Sequence, residues 1–141
     1  MVSLVLAGPA NMPLPGASAD HARLATSTMR TSDALLAGAQ ALVMPSPYES
    51  LSMVLLEAWN YGTPTLVNAR CAVLKGQVLR ADGGLYYQSA LEFAGALDYL
   101  LEHRDVAVEL GSQGRGYVER EYRWPAVMAK IDSLFLQITR R

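Results

Sequence analysis

The stretch Pro45–Pro64, PSPYESLSMVLLEAWNYGTP, decides the fold because a strand, a helix and a second strand meet around it. It overlaps the apolar run ALVMPS, which predicts a short buried strand. The helix is predicted to start at Ser50 or beside it and to end at Gly62, with Pro64 just beyond. TPTLVNA then predicts the next strand, so the frame is strand, turn, helix, turn and strand.

The rest of the chain repeats this alternation of apolar strands and helices. The predicted strands are Leu4–Ala7, Leu42–Met44, Thr65–Val67 and Leu85–Tyr87. The other predicted helices are Asp33–Gln40, Ser89–Arg104 with a capping box of Ser89 and Glu92, Asp105–Tyr122 and Pro125–Thr139. We predict a loop or a poorly ordered segment over Pro9–Ser32, and a loop with at most one helical turn over CAVLKGQVLRADGG. The pattern predicts an α/β fold whose parallel sheet has helices on both faces.

Composition excludes several classes of function. The chain has 141 residues and a net charge of −1, so its overall charge gives no reason to expect a nucleic-acid partner. Cys71 is the single cysteine, which excludes an internal disulfide and a zinc site built from several cysteines. The opening MVSLVLAGPA predicts a strand rather than a signal peptide, and no apolar run has the length of a transmembrane segment. We therefore expect a cytoplasmic protein.

The turn after ALVMPS is the candidate site, because ligands of parallel sheets bind beyond the carboxyl ends of the strands. It carries Glu49, Ser50, Leu51, Ser52 and Met53, and backbone amides at the start of the following helix favour an anion such as phosphate. Glu49 has an alternative role as a residue that stabilises the helix dipole. Glu57, inside the helix, is either a solvent-exposed residue or, if buried among its apolar neighbours, a carboxylate that needs a partner such as a ligand hydroxyl.

The same stretch resembles the signature of the group 1 glycosyltransferases, also called glycosyltransferase family 4, which have the two Rossmann-like halves of the GT-B fold. The matching residues are Pro45-Ser46, Glu49, Ser50, Leu51, Ser52, Glu57-Ala58, Gly62 and Pro64. Further matches are GGLYYQ and the tryptophan of REYRWPAV. Leu51-Ser52 stands where the family more often has Phe-Gly. The resemblance implies that the chain is the Rossmann-like, C-terminal donor-binding domain of such an enzyme, a single domain over residues 1–141.

The resemblance also implies a role for each site residue. Glu49 and Ser50 would bind hydroxyls of the donor sugar, and Glu57 would bind the ribose of the nucleotide. The backbone amides of Leu51, Ser52 and Met53 would contact the diphosphate. The implied substrate is a nucleotide diphosphate sugar, and the implied reaction is a retaining transfer of its sugar to an acceptor hydroxyl. No metal or other cofactor is expected, in agreement with the absence of an Asp-x-Asp sequence.

The family pattern extends beyond this chain. Its acceptor-binding half, and an arginine and a lysine that contact the diphosphate, have no counterpart here; Lys75 and Arg80 are nearby cations without a matched role. We therefore expect a truncated copy that is inactive alone, with the other half as a candidate separate partner chain and peripheral membrane attachment left open for a full-length enzyme. Residues 17–32 also depart from the pattern, and one hypothesis is a shift of reading frame within LATSTMRTS.

Two other interpretations stay open. One is a non-enzymatic nucleotide-binding module or a degenerate remnant. The other is a generic Rossmann-like dinucleotide binder, which the lack of Gly-x-Gly-x-x-Gly after the first strand disfavours. GSQGRG at Gly111–Gly116 is a weak match to a phosphate loop, since no strand precedes it and it has no lysine. The resemblance places it in a helix instead.

Overall fold

The computed structural model describes residues 4–7, 21–24 and 29–139, which belong to two compact units, Met1–Leu35 and Leu36–Arg141. In the first unit, β1 (Leu4–Ala7) pairs in parallel with β2 (His21–Leu24), with Leu4 opposite His21. The strand predicted at Leu4–Ala7 is confirmed. The single-domain interpretation of residues 1–141 stays a prediction.

Two features correct the loop predicted over Pro9–Ser32. Strand β2 lies inside it, since pairing with β1 supplies the strand that the sequence HARL, which has no β-branched residue, does not signal by β propensity. Helix α1 (Met29–Gly38) begins before the predicted Asp33, because Met29 and Arg30 are themselves good helix formers. The remainder of the predicted loop lies outside the described residues.

The second unit has a three-stranded parallel sheet. Its strands are β3 (Leu42–Met44), β4 (Thr65–Asn68) and β5 (Gly84–Tyr87), in that spatial order. Leu42 lies opposite Thr65, and Thr65 lies opposite Gly84. The predicted strands and their parallel pairing are confirmed. Because all three strands run in one direction, their carboxyl ends meet at one edge of the sheet, which is where the candidate site was predicted.

The helices of this unit are α2 (Met53–Asn60), α3 (Ala72–Ala81), α4 (Ala90–Glu102), α5 (Arg104–Glu121) and α6 (Trp124–Thr139). One of the two hydrogen bonds of the predicted capping box is confirmed: the Ser89 hydroxyl accepts from the backbone N–H of Glu92 at 3.2 Å. Within the described ranges, no helix combines the length and the apolar character needed to cross a membrane.

Helix α3 corrects the loop predicted over CAVLKGQVLRADGG. Its buried residues, Leu74, Gln77, Val78 and Ala81, follow the spacing of one helical face. The sequence obscured this stripe because one of its members is a glutamine and because Gly76 lowers helix propensity. Burial of the face against the sheet outweighs that propensity.

Both faces of the three-stranded sheet are covered, as predicted. On one face Val67, with Leu42 and Met44, packs against buried residues of α2, α3 and the C-terminal part of α5. On the other face Leu66, with Val43 and Leu85, packs against α4 and the N-terminal part of α5. Alternate residues of each strand therefore enter opposite cores, which is the pattern of a parallel sheet buried on both sides.

Helix α2, which begins at the candidate site, is held firmly at its far end. Gly62 has φ 75° and donates to the Trp59 carbonyl, while the Thr63 N–H donates to the Ala58 carbonyl, which together form a Schellman C-cap. Trp59 is fully buried and donates from Nε1 to the Gly83 carbonyl at 2.8 Å. The end of α2 is therefore fixed to the start of β5.

Two of the three glycines of GSQGRG serve the packing of α5 on α2. Gly111 and Gly114 lie inside α5, so the helical interpretation of this run is confirmed. A Cβ on Gly111 would collide with the Gly62 carbonyl, and one on Gly114 would collide with the Trp59 ring. The glycines allow close approach of two helices rather than of a phosphate.

Candidate functional site

Two shallow grooves lie at the carboxyl edge of the three-stranded sheet. The Glu49 groove, about 620 Å³, is lined by residues 47–50 and 70–73. The strand-end groove, about 650 Å³, is lined by Val43, Pro45, Asn68, Arg70, Phe93 and residues 87–90. The Glu49 groove lies between the turns after β3 and β4, and the strand-end groove also includes the turn after β5; the carboxyl edge is the usual ligand position in such sheets.

The first wall of the Glu49 groove is the turn between β3 and α2. The Ser46 hydroxyl donates to the Tyr48 carbonyl at 2.8 Å and accepts from the Tyr48 N–H at 3.3 Å, which folds the chain back on itself. This local turn brings Glu49, which is half-buried, and Ser50, which is exposed, to the groove surface. The predicted sugar-binding pair is therefore brought together.

Among the described residues, Arg70 is the one cation in the lining of either groove, and it lines both. Its position follows from Asn68 at the end of β4. The Asn68 side chain donates from Nδ2 to the Pro45 carbonyl at 3.0 Å, and its Oδ1 accepts from the Arg70 N–H at 3.0 Å. Asn68 thus connects the end of β3 to the backbone of Arg70. Arg70 is exposed, and it forms no ion pair within the described part of the chain.

Sequence reasoning missed Arg70 and considered Lys75 and Arg80 instead. The Lys75 ammonium lies 4.8 Å from the centre of the Tyr86 ring, and Arg80 Nε donates to the Tyr117 hydroxyl at 3.4 Å. Both cations thus have partners within the protein. The available signal for Arg70 was its place just after a predicted strand, where side chains reach the ligand edge.

The start of α2 forms the next part of the site. Ser52 is its N-cap, with extended backbone, but the Ser52 hydroxyl accepts no hydrogen bond from the first turn. The Ser52 N–H donates instead to Gln77 Oε1 of α3 at 3.3 Å. Ser52 is buried, whereas Leu51 and Met53 on either side are exposed. The Ser52 side chain therefore leaves the amides of the first turn uncapped. An anion-binding helix start requires uncapped amides of this kind.

Glu57 is exposed on α2, one helical turn beyond Met53 on the same face. Its neighbours Leu55, Leu56 and Ala58 are buried, so they turn toward the core while the carboxylate faces solvent. The condition that would have demanded a partner, burial of Glu57, does not apply. Glu57 is also not among the residues that line the Glu49 groove, so its sharing of one cleft with Glu49 stays a prediction.

Other reactive groups near the grooves are few. Cys71 is a buried free thiol in the lining of the Glu49 groove. Burial raises the pKa of the hydroxyl of Tyr87, which lines the strand-end groove. Among the described residues, no three His, Cys, Asp or Glu side chains are grouped so that they could hold a metal ion.

Comparisons with known proteins agree with the family that the motif resembles. The family model described as glycosyl transferases group 1 matches residues 19–117, a range that includes most of the stretch predicted to be atypical. The solved structure of sucrose-phosphate synthase from Thermosynechococcus elongatus matches with a TM-score of 0.72 and 26% identity, over 86% of this chain and 31% of that one. This chain therefore spans about a third of that protein. No curated protein gives a significant match.

Proposed function

Because the chain belongs to the group 1 glycosyl transferases, we propose that it is the donor-binding domain of a retaining, metal-independent glycosyltransferase. The reaction moves a sugar from a nucleotide diphosphate sugar to an acceptor hydroxyl. The observation that carries this proposal is the Glu49 groove, where a carboxylate, a hydroxyl and an arginine converge beside the start of α2. The whole enzyme's activity is part of the proposal, since this chain spans 31% of the matched synthase.

The donor sugar is assigned to the Glu49 side of the groove. A carboxylate accepts hydrogen bonds from two sugar hydroxyls, and the Ser50 hydroxyl both donates and accepts. Glu49 is half-buried, which strengthens its hydrogen bonds relative to those of a fully solvated carboxylate. Glu57 is assigned to the ribose, on the exposed face of α2.

The diphosphate is assigned to the start of α2 and to Arg70. The amides of Leu51 and Met53 are at the positive end of the helix dipole, which attracts phosphate, whereas the Ser52 amide is left out of this assignment because its N–H donates to Gln77. Arg70 adds a full positive charge and a planar fork that matches phosphate oxygens. As the sugar leaves, charge grows on the diphosphate, and donors already in place stabilise that charge in the transition state.

The acceptor is assigned to a second half, supplied by the rest of a longer protein or by a separate chain. Positioning of the acceptor supplies much of the rate in such transfers. Helix α6 supports the existence of a further surface, because it has no buried residue. Its exposed apolar side chains recur at Trp124, Met128, Ile131, Phe135 and Ile138, which is the spacing of a helix face that packs on another helix. The nucleotide sequence around the gene tests this part: an adjacent reading frame for such a half would support a longer or split enzyme, and the absence of a coding sequence for it anywhere in the genome would contradict the proposal.

The binding part of the proposal is tested by calorimetric titration with uridine, guanosine and adenosine diphosphate sugars. We expect weak binding of one of them, reduced by Glu57→Ala and by Arg70→Gln, and restored in part by Arg70→Lys. Loss of one charge-assisted hydrogen bond corresponds to about tenfold in affinity or more. Arg115→Gln is the matched control, since Arg115 is also an exposed arginine but lies on α5 and outside both grooves. Lack of binding to all three donors would refute the proposal.

A radiolabelled-donor assay tests the remainder. We expect no transfer by this chain alone, because the acceptor is not positioned. Transfer by the purified chain to any acceptor would show that it needs no second half. Donor binding that is never accompanied by transfer, even after the acceptor half is supplied, would favour the non-enzymatic nucleotide-binding module.

A further inference from the structure

Gln77 is the one polar residue on the buried face of α3. It is fully buried, on the same helical face as Leu74, Val78 and Ala81. A side-chain amide in such surroundings is costly unless it forms hydrogen bonds. Its Oε1 accepts from the Ser52 N–H, but its Nε2 has no partner within the described protein. A glutamine kept in this position contributes more than packing, since an apolar residue would fill the same space without that cost.

The start of α2 explains what the glutamine does. In a capping box, the third residue of the helix carries a carboxylate or an amide that accepts from the N-cap N–H. That third position is Leu55 here, which has no acceptor. Gln77, which lies 25 residues along the chain on another helix, supplies the acceptor instead. The orientation of the first turn of α2 therefore depends on α3.

We propose that Gln77 is the positioning residue of the diphosphate-binding turn, an inference that rests on the proposed function. By holding the Ser52 N–H below the surface, Gln77 leaves the amides on either side of it directed toward the ligand. Ser52 is itself buried, and its hydroxyl is likewise without a partner within the described protein, so the turn has no internal cap that could replace Gln77. A neutral amide suits this role, because it accepts the hydrogen bond without placing a negative charge under an anion.

The variants separate these effects. Gln77→Met keeps the length of the side chain but removes the acceptor. Gln77→Glu keeps the acceptor and adds the charge. Gln113→Met is the matched control, since Gln113 is a half-buried glutamine of α5 whose Oε1 also lacks a partner within the described protein. For each chain we would measure binding of uridine, guanosine and adenosine diphosphates and of the three nucleosides, together with amide hydrogen exchange at Ser52.

In Gln77→Met we expect faster exchange at Ser52 and about tenfold weaker binding of the preferred diphosphate, with nucleoside binding unchanged. In Gln77→Glu we expect slow exchange at Ser52 but a similar loss of diphosphate affinity, because two negative charges then face each other. The control is expected to change neither quantity. A structural role alone would weaken nucleoside and diphosphate binding equally, so the ratio of the two affinities is the decisive measurement.

The outcomes distinguish the inference from the function on which it rests. If the wild-type chain prefers a diphosphate and both Gln77 variants keep that preference, the role of Gln77 is refuted and the proposed function stands. If the wild-type chain has no preference for any diphosphate, the proposed function fails and the inference fails with it. If Gln77→Met does not fold, Gln77→Glu decides, and unchanged diphosphate affinity in that variant overturns the inference.

Discussion

Replacement of Gly111 by alanine tests whether GSQGRG is a helix-packing element or a phosphate loop. The new Cβ would overlap the Gly62 carbonyl oxygen, and it would lie 2.7 Å from the Gly62 carbonyl carbon and 3.4 Å from the Pro64 nitrogen. All three are backbone atoms, which cannot rotate away as a flexible side chain would. Helix α5 would therefore have to retreat from α2 by about 1 Å to restore ordinary contact distances.

Two opposing terms set the change in the free energy of unfolding for Gly111→Ala. Alanine is a better helix former than glycine by about 1 kcal/mol, whereas overpacking at a rigid contact costs about 3 kcal/mol, so a net loss of about 2 kcal/mol is expected. The retreat of α5 would also loosen the contact of Trp59 with Gly114. Gly95→Ala is the matched control: Gly95 lies in α4, and a Cβ added there would meet no atom of a neighbouring element within 4 Å, so only the favourable helical term, about 1 kcal/mol, should remain.

The assay is urea unfolding of the wild-type chain and of the two variants, followed by far-UV circular dichroism and by tryptophan fluorescence. We expect free energies of unfolding that change in opposite directions, with Gly111→Ala less stable and Gly95→Ala more stable. Binding of nucleotide by folded Gly111→Ala should equal that of the wild type. Unchanged stability together with lost nucleotide binding would refute the packing explanation and favour a phosphate loop.

Two further predictions concern the scaffold. Thr63→Val should destabilise the chain by about 1 kcal/mol, because Thr63 is buried and its hydroxyl donates at 2.6 Å to the Leu36 carbonyl. Thr65→Val removes a longer hydrogen bond of 3.4 Å and should cost less. Equal losses of stability in chemical denaturation would contradict this ranking. Lys130, through a hydrogen bond and its charge, lowers the pKa of Glu121, so the stabilising contribution of this pair exists above the ordinary carboxyl pKa and is lost as pH falls through the lowered value. Thermal melts should therefore show the melting temperature of Lys130→Met closer to that of the wild type at acidic than at neutral pH. A difference in melting temperature that is constant with pH would contradict this contribution.

The fold could be predicted where a segment's own residues determine its structure. The strand at Leu42–Met44 and the helix that ends at Gly62 are signalled by a short apolar run and by a C-cap glycine. Strand β2 could not be predicted, because its pairing with β1 is a contact between segments distant in sequence. Helix α3 was missed because Gln77 interrupts an otherwise apolar stripe, and that interruption is explained only by its contact with Ser52.

The candidate site also combines residues that a local motif signals with one that depends on contacts between distant segments. Glu49 and Ser50 were predicted because their motif is contiguous in the sequence, and the structure brings them to one groove. The sequence signalled Arg70 only by its place after a predicted strand, because its approach to that motif depends on β3 and β4 being neighbours and on the hydrogen bonds of Asn68. Local signals thus select the turn proposed to face the ligand, and the order of the strands places Arg70 beside it.

The distribution of burial around the site explains why binding and transfer should separate. The groups proposed to contact the donor are accessible to solvent: Arg70 and Glu57 are exposed, and Glu49 is half-buried. Two fully buried residues hold α2 in place: Gln77 binds its first turn through Ser52, and Trp59 fixes its far end to the start of β5. A donor on such a surface keeps water against its diphosphate, so each charged contact acts in a high dielectric and is weaker than in an enclosed site. Water is also a competing acceptor there, and transfer to a chosen hydroxyl requires that it be excluded. On the proposed function, a second surface would therefore have to cover the donor before the turn could act in catalysis. Turnover by this chain alone would contradict this inference from the openness of the groove rather than the role of any one residue.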